Sequence, residues 1–253
     1  IQDDQNQYAI TWGTPRLRHA VARRYAEAYG MTVDAEREIV VTCGATEAMA
    51  AVFLALFDPG DEVLIPEPFY ENYGPDAVLA GAVPVYVPLE EPDLQFDADA
   101  FAHRISPRTR AVVLNTPNNP TGRVFTGAEL EAVARLCRTH GLLAVTDEIY
   151  EYITYEGRHV PLATLDGMRE RTVTVSGASK TFAVTGWRVG TIVAPPDITD
   201  AIRKVHDFLT VGAPAPLQDA VAAAMESFGE AYYRSLRDEY GARRDALLPG
   251  LRK

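Results

Sequence analysis

The 253-residue chain is 47% hydrophobic, and a chain of this length hides roughly 70–75% of its unfolded surface, so one large domain with a substantial core is expected. Its formal net charge of −11 excludes nucleic acid or an anionic membrane as the main partner, because both need a basic face, and it fits a soluble enzyme. Cys43 and Cys137 have no metal-type spacing and the longest apolar stretch, Met49 to Phe57, is far short of the ~20 residues that span a bilayer; no disulfide framework, metal site or membrane segment is expected, and a reducing cytoplasm fits best.

In chain order, the first element is a helix that opens at Thr14-Pro15, with proline at its first position, and closes at Gly30. Short apolar runs rich in branched residues read as strands at about 38–43, 62–66, 83–88, 111–115, 142–147, 172–176 and 188–194. Helical patterns separate most of them. The clearest covers about 127–140, where Thr126 and Glu129 form a capping box, Leu130, Val133, Ala134 and Cys137 share a face, and Gly141 follows as the stop. A longer polar helix runs from about Glu230 to Leu251, with Tyr233, Leu236, Tyr240, Leu247 and Leu251 at helical spacing, and leaves the sheet domain. This alternation, without repeats or low-complexity tracts, predicts an α/β sheet.

In such sheets ligands bind beyond the carboxyl ends of the strands, and the distinctive polar residues sit there. The first strand runs into Cys43-Gly44-Ala45-Thr46-Glu47-Ala48, a small-residue turn opening a helix, whose free N–H groups suit a phosphate. The second ends in Pro66-Glu67-Pro68-Phe69-Tyr70, the fourth in Asn115-Thr116-Pro117-Asn118-Asn119-Pro120-Thr121-Gly122. The fifth runs straight into Asp147-Glu148-Ile149-Tyr150, and a carboxylate at the buried end of an apolar strand is costly unless paired. After the sixth comes Ser176-Gly177-Ala178-Ser179-Lys180-Thr181-Phe182-Ala183-Val184-Thr185-Gly186-Trp187-Arg188, with one lysine eight residues before one arginine. A lysine amine becomes nucleophilic when burial or a neighbouring cation lowers its pKa, and a guanidinium matches phosphate with paired hydrogen bonds. Taken singly, each feature also suits a plain part: a solvated lysine, an ordinary turn, a core aromatic, a helix cap.

Together these segments resemble the pyridoxal 5′-phosphate enzymes of the class I/II aminotransferases, fold type I, near the aspartate, aromatic and kynurenine aminotransferase branch. The resemblance covers essentially the whole chain. It implies a three-layer α/β/α domain with a mixed, mostly parallel seven-stranded sheet. It implies Lys180 as the Schiff-base lysine and acid-base catalyst, Asp147 as partner of the pyridine nitrogen, and Tyr150 and Asn119 on the ring oxygen, Asn119 also reaching the substrate carboxylate. Tyr70 would stack on the ring, and Gly44, Ala45, Thr46 and Arg188 would hold the phosphate. Where the family often has a hydroxyl three positions before the lysine this chain has Gly177, so Ser176 or Ser179 is expected to substitute. Asn6-Gln7-Tyr8-Ala9-Ile10-Thr11-Trp12-Gly13 is similar to the segment whose tyrosine, here Tyr8, reaches the phosphate of a partner subunit, implying a homodimer.

The substrates implied are an L-amino acid and a 2-oxo acid, with 2-oxoglutarate and glutamate as one pair. A β-lyase or oxidase on the same fold is the nearest alternative, and a non-catalytic sensor domain of a transcription regulator a more distant one. Residues 1–228 are expected to form the large domain and 229–253 to begin the helix that leads to a small C-terminal domain. That domain, with the arginine that grips the substrate carboxylate, is expected to lie outside this chain. His19, His103, His140, His159 and His206 pair with no carboxylate at an informative spacing and are read as surface or structural. Arg23-Arg24 and Arg243-Arg244 read as exposed helix faces, and Glu90-Glu91-Pro92-Asp93 as a solvated loop.

Overall fold

Thr14 accepts a hydrogen bond from the Leu17 N–H and Pro15 fills the first helical position, so α1 (Pro15–Tyr29) begins there; Gly30, at φ 65°, ends it. The computed structural model describes residues 6–251. The order continues with β1 (Ile39–Thr42), α2 (Gly44–Leu56), β2 (Glu62–Glu67), α3 (Tyr73–Leu79), β3 (Val83–Pro88), α4 (Ala98–Ala102), β4 (Thr109–Asn115) and α5 (Gly127–His140). Then come β5 (Leu143–Asp147), β6 (Thr172–Gly177), α6 (Ala178–Thr181), β7 (Gly190–Val193), α7 (Pro196–Leu209), α8 (Ala215–Ser227) and α9 (Glu230–Leu251). The capping box of Thr126 and Glu129 opens α5, and Gly141 closes it in the left-handed region.

The sheet has the order β1-β7-β6-β5-β4-β2-β3. Neighbours are parallel except at β7, which runs antiparallel to both β1 and β6. Alternate strand residues enter different layers, as the period-2 pleat requires. Val63, Val113, Val145, Val173 and Ile192 pack with Met49, Val52 and Phe53 of α2 and Ile202 of α7. On the other face, Leu64, Val112 and Leu114 meet Leu130, Val133 and Cys137 of α5, while Ile39, Val41 and Val193 meet Leu17 and Val21 of α1 and Val221 of α8. Helices therefore cover both faces, giving the three-layer fold. Because the central strands are buried on both sides, they read in sequence as near-continuous apolar runs.

The long helix α9 buries Tyr233 against Tyr152, with ring centroids 4.4 Å apart, and exposes Leu247 and Leu251. Here Arg24 departs from the sequence expectation. Its guanidinium lies 3.9 Å from the Tyr233 ring centroid and its Nε donates to the Tyr152 hydroxyl, so it clamps α1 to α9 instead of lining an exposed face. Among the described residues, no helix is long and apolar enough to cross a membrane.

Candidate active site

The parallel strands β1, β2, β4, β5 and β6 all point their carboxyl ends to one edge of the sheet. The antiparallel β7 begins at that edge, since Gly190 is paired with both Thr42 and Gly177, which returns Arg188 to the end of β1. A cleft of about 650 Å³, open to solvent, forms where these ends meet. Its walls carry Ala45 and Thr46 after β1, Tyr70 after β2, Asn115 and Asn119 from β4 and its turn, Asp147 and Tyr150 from β5, and Ser179, Lys180 and Arg188 from the segment between β6 and β7.

One end of the cleft is an anion cup. The first N–H groups of α2 have no intrahelical acceptor, and the positive helix end lies there. Gly44, at φ +81°, is pressed against Arg188: a Cβ on it would stand 2.4 Å from Nη2. Arg188 itself adopts the left-handed conformation at φ 55°, a costly choice for a residue with a side chain. It donates Nη1 to the Thr185 carbonyl at 3.1 Å and has no carboxylate partner among the described residues. Beside the cup, a Cβ on Gly177 would meet the Val189 carbonyl oxygen at 2.7 Å and Gly190 Cα at 2.8 Å, so the packing of β6 on β7 excludes a hydroxyl residue there.

The other end is built on Asp147. Tyr73 Oη donates to its Oδ2 at 2.7 Å and the Ile149 N–H to its Oδ1 at 3.2 Å. Burial raises the carboxyl pKa, and the Tyr73 hydroxyl and the Ile149 N–H oppose that rise. Asn115 ties the neighbouring strand ends together: Nδ2 donates to the Asp147 carbonyl at 2.9 Å, and Oδ1 accepts from the Asn119 N–H at 2.7 Å. Tyr70 meets Tyr73 edge to face at 6.0 Å. Burial, then the Asp147 charge, raises the Tyr150 phenol. Lys180 Nζ lies 5.8 Å from the Tyr150 ring centroid and has no ion-pair partner among the described residues.

A single organic group fits this donor set if it carries an anion for the cup, a protonated ring nitrogen for the buried carboxylate, and a carbonyl carbon for the amine. Pyridoxal 5′-phosphate has all three. The close approach of Gly44 to an unpaired guanidinium is the local observation that supports the fit.

Two of the sequence-derived site residues are not brought to this cleft. Ser176 shares a strand face with Thr172 and Thr174, and its Oγ donates to Glu151 Oε1 at 2.7 Å. That face meets α1, so Ser176 is withdrawn from the phosphate group while Ser179 lines the cleft. Tyr8 is 87% exposed and borders a groove formed with Val211 to Pro216, away from the cleft of its own chain. Two of the histidines read as surface or structural are buried on carboxylates distant in sequence: His159 Nε2 lies 2.6 Å from Glu148 Oε2, and His206 Nδ1 lies 2.8 Å from Glu47 Oε1. Sequence reasoning did not single out Tyr73 or, within its motif, Asn115; the only signal was that Asn115 closes β4 and Tyr73 follows the end of β2.

A family model described as aminotransferase class I and II matches residues 1–253. Kynurenine–oxoglutarate transaminase 1 of Homo sapiens is 42% identical over 233 residues, covering 87% of this chain and 55% of that protein. Methionine aminotransferase of Escherichia coli is 39% identical over 252 residues, covering 99% of this chain and 65% of that protein. The solved structure of N-succinyldiaminopimelate aminotransferase from Mycobacterium tuberculosis superposes with a TM-score of 0.96 at 42% identity, covering 99% of this chain and 66% of that one. The chain spans about three-fifths of the length of the curated relatives it matches.

Proposed function

The chain belongs to the class I and II aminotransferase family, whose members use pyridoxal 5′-phosphate, and from that membership we propose that it is the cofactor-binding part of an aminotransferase. The reaction moves an amino group between an L-amino acid and a 2-oxo acid, with glutamate and 2-oxoglutarate as one pair. The observation that carries this reading is the convergence of Lys180, Asp147, Tyr150, Asn119 and Arg188 on one cleft from three different strand connections.

When bound, the cofactor supplies an electron-withdrawing ring that stabilises the negative charge left on the substrate carbon once its proton is removed. The chain's own groups do the rest. Arg188 and the N–H groups of the Gly44-Ala45-Thr46 turn hold the phosphate, with Ser179 beside them. Asp147 holds the proton on the ring nitrogen, since a carboxylate next to that site favours its charged form. Tyr150 and Asn119 hold the ring oxygen, and Tyr70 covers the ring face. Lys180 Nζ would be the amine that holds the cofactor's carbonyl carbon and, once free, the general base and acid that moves the substrate Cα proton.

The functional unit is a homodimer in which Tyr8 serves the partner's cup. Exposure of Phe208 (91%), Leu209 and Val211 in one stretch of chain, with Tyr8 bordering the groove that Val211 lines, supports this. Residues 1–228 form the large domain and 229–253 begin the helix toward a small domain. The test is turnover by the full-length protein of L-amino acids with 2-oxoglutarate, starting from the substrates named for its relatives: kynurenine, methionine and N-succinyldiaminopimelate. Glutamate and the matching oxo acid are the expected products. Their absence with every amino donor would overturn the reading.

A further inference from the structure

His206 lies in the last turn of α7 with a fully buried side chain, and both of its ring nitrogens face acceptors. Nδ1 is 2.8 Å from Glu47 Oε1, and Nε2 is 2.8 Å from the Thr11 carbonyl oxygen. A neutral imidazole has one N–H and one lone pair. It would turn that lone pair on one of these oxygens, whereas an imidazolium donates to both. Two helix ends favour the charged pair: the cation sits at the negative C-terminus of α7, and Glu47 lies in the first turn of α2 at its positive end.

The contacts lead straight to the anion cup. The other carboxylate oxygen of Glu47 accepts the Cys43 N–H at 2.9 Å, fixing the residue that precedes the Gly44-Ala45-Thr46 turn. On the opposite side, Thr11 belongs to the segment that carries Tyr8 three residues earlier. We propose that His206 is a positioning residue, held as an imidazolium, that straps the N-terminal segment and the α2 turn together and thereby sets the grip on the cofactor phosphate. This rests on the reading of that turn as the phosphate site.

The charged groups that act on the ring are Glu47 from the α2 turn and Asp207 on its own helix; Cys43 meets Glu47 through its N–H. Burial opposes the charge on His206, but Glu47, the Thr11 carbonyl and Asp207 outweigh it and the pKa is raised. The strap is therefore present below the ordinary histidine range and is lost as pH rises through the raised value.

The experiment uses the full-length protein. Long-range nitrogen–proton spectra of the histidine rings should show His206 protonated on both nitrogens at pH 7; a neutral tautomer there overturns the proposal without need of any variant. Binding of pyridoxal 5′-phosphate and of pyridoxal, which lacks the phosphate, is then measured from pH 6 to 9 in the wild type and in His206→Gln. The expected result is roughly five- to tenfold weaker binding of the phosphorylated form in the variant, in keeping with a lost charge-assisted hydrogen bond. Pyridoxal binding should be unchanged, and the wild-type advantage should fade as pH rises. Equal losses for both compounds, or pH profiles that do not differ between the two proteins, would contradict it. Failure of the phosphate reading looks different: the wild type itself would show no preference for the phosphorylated form.

Discussion

Tyr73 Oη donates a 2.7 Å hydrogen bond to Oδ2 of Asp147, and both side chains are buried. Nothing else among the described side chains donates to that carboxylate, whose remaining donor is the Ile149 backbone. Tyr73 is therefore the largest of the groups that offset the burial-driven rise in the Asp147 pKa, ahead of the Ile149 N–H and Lys180.

Replacing Tyr73 by Phe removes the hydroxyl and leaves the ring. The Asp147 carboxyl then rises further, so the acid limb of the kcat/KM profile should move to higher pH, with a loss of about tenfold at neutral pH, equivalent to about 1.4 kcal/mol. A pH–rate profile superimposable on the wild type would show that Tyr73 only fills space.

Asp147→Asn separates function from stability. A raised carboxyl pKa in the fold means that ionised Asp147 destabilises the cofactor-free protein; the penalty is absent below the unfolded value and grows as pH rises through it. Asparagine removes that penalty and can still accept from Tyr73. The cofactor-free variant should melt at or above the wild-type temperature at pH 7.5, while turnover falls by at least about a hundredfold, about 2.7 kcal/mol. Calorimetry on the cofactor-free proteins checks the first half, and steady-state kinetics the second.

At the anion cup, Gly44→Ala places a methyl within 2.4 Å of Arg188 Nη2 on a backbone at φ +81°. The guanidinium must move, so affinity for pyridoxal 5′-phosphate should drop about tenfold or more. Arg188→Lys keeps the charge but loses the paired donors and should also weaken binding. Since both changes act through one contact, the double variant Gly44→Ala, Arg188→Ala should bind no worse than Arg188→Ala alone. Additive losses in titrations of the cofactor would mean that the two act separately.

The composite site makes a prediction about mixed dimers. A Tyr8→Phe subunit paired with a Lys180→Ala subunit has one intact lysine, in the Tyr8→Phe chain, and that site receives a native Tyr8 from its neighbour. It should bind cofactor like the wild type. Affinity equal to that of the Tyr8→Phe homodimer would place Tyr8 in its own subunit's site.

Much of this was legible because the sheet is buried on both faces. Strands such as Val112-Val113-Leu114 and Ala144-Val145 are apolar throughout, and the polar residues that interrupt them mark the strand ends where the cleft forms. The direction of β7 was not legible from composition, since a short apolar run such as Gly190–Val193 reads the same either way; the resemblance implied a mixed sheet without naming the reversed strand. Contacts distant in sequence left no trace. Tyr73 and Asp147 are 74 positions apart, and Glu47 and His206 are 159 apart, so no spacing could have paired them. Ser176 was misplaced because one step along a strand reverses the face: Val175 meets the α2 layer, while Ser176 turns to Glu151.

The central claim is that Lys180 is the residue that attaches the cofactor, and the sequence offers few competitors, its other lysines being Lys204 and Lys253. Borohydride reduction of the full-length protein loaded with pyridoxal 5′-phosphate, followed by peptide mapping, tests it most directly. The account predicts a phosphopyridoxyl label on Lys180, lost in Lys180→Ala although that variant still binds cofactor noncovalently. A label on Lys204 or any other lysine, with Lys180 unmodified, would contradict it.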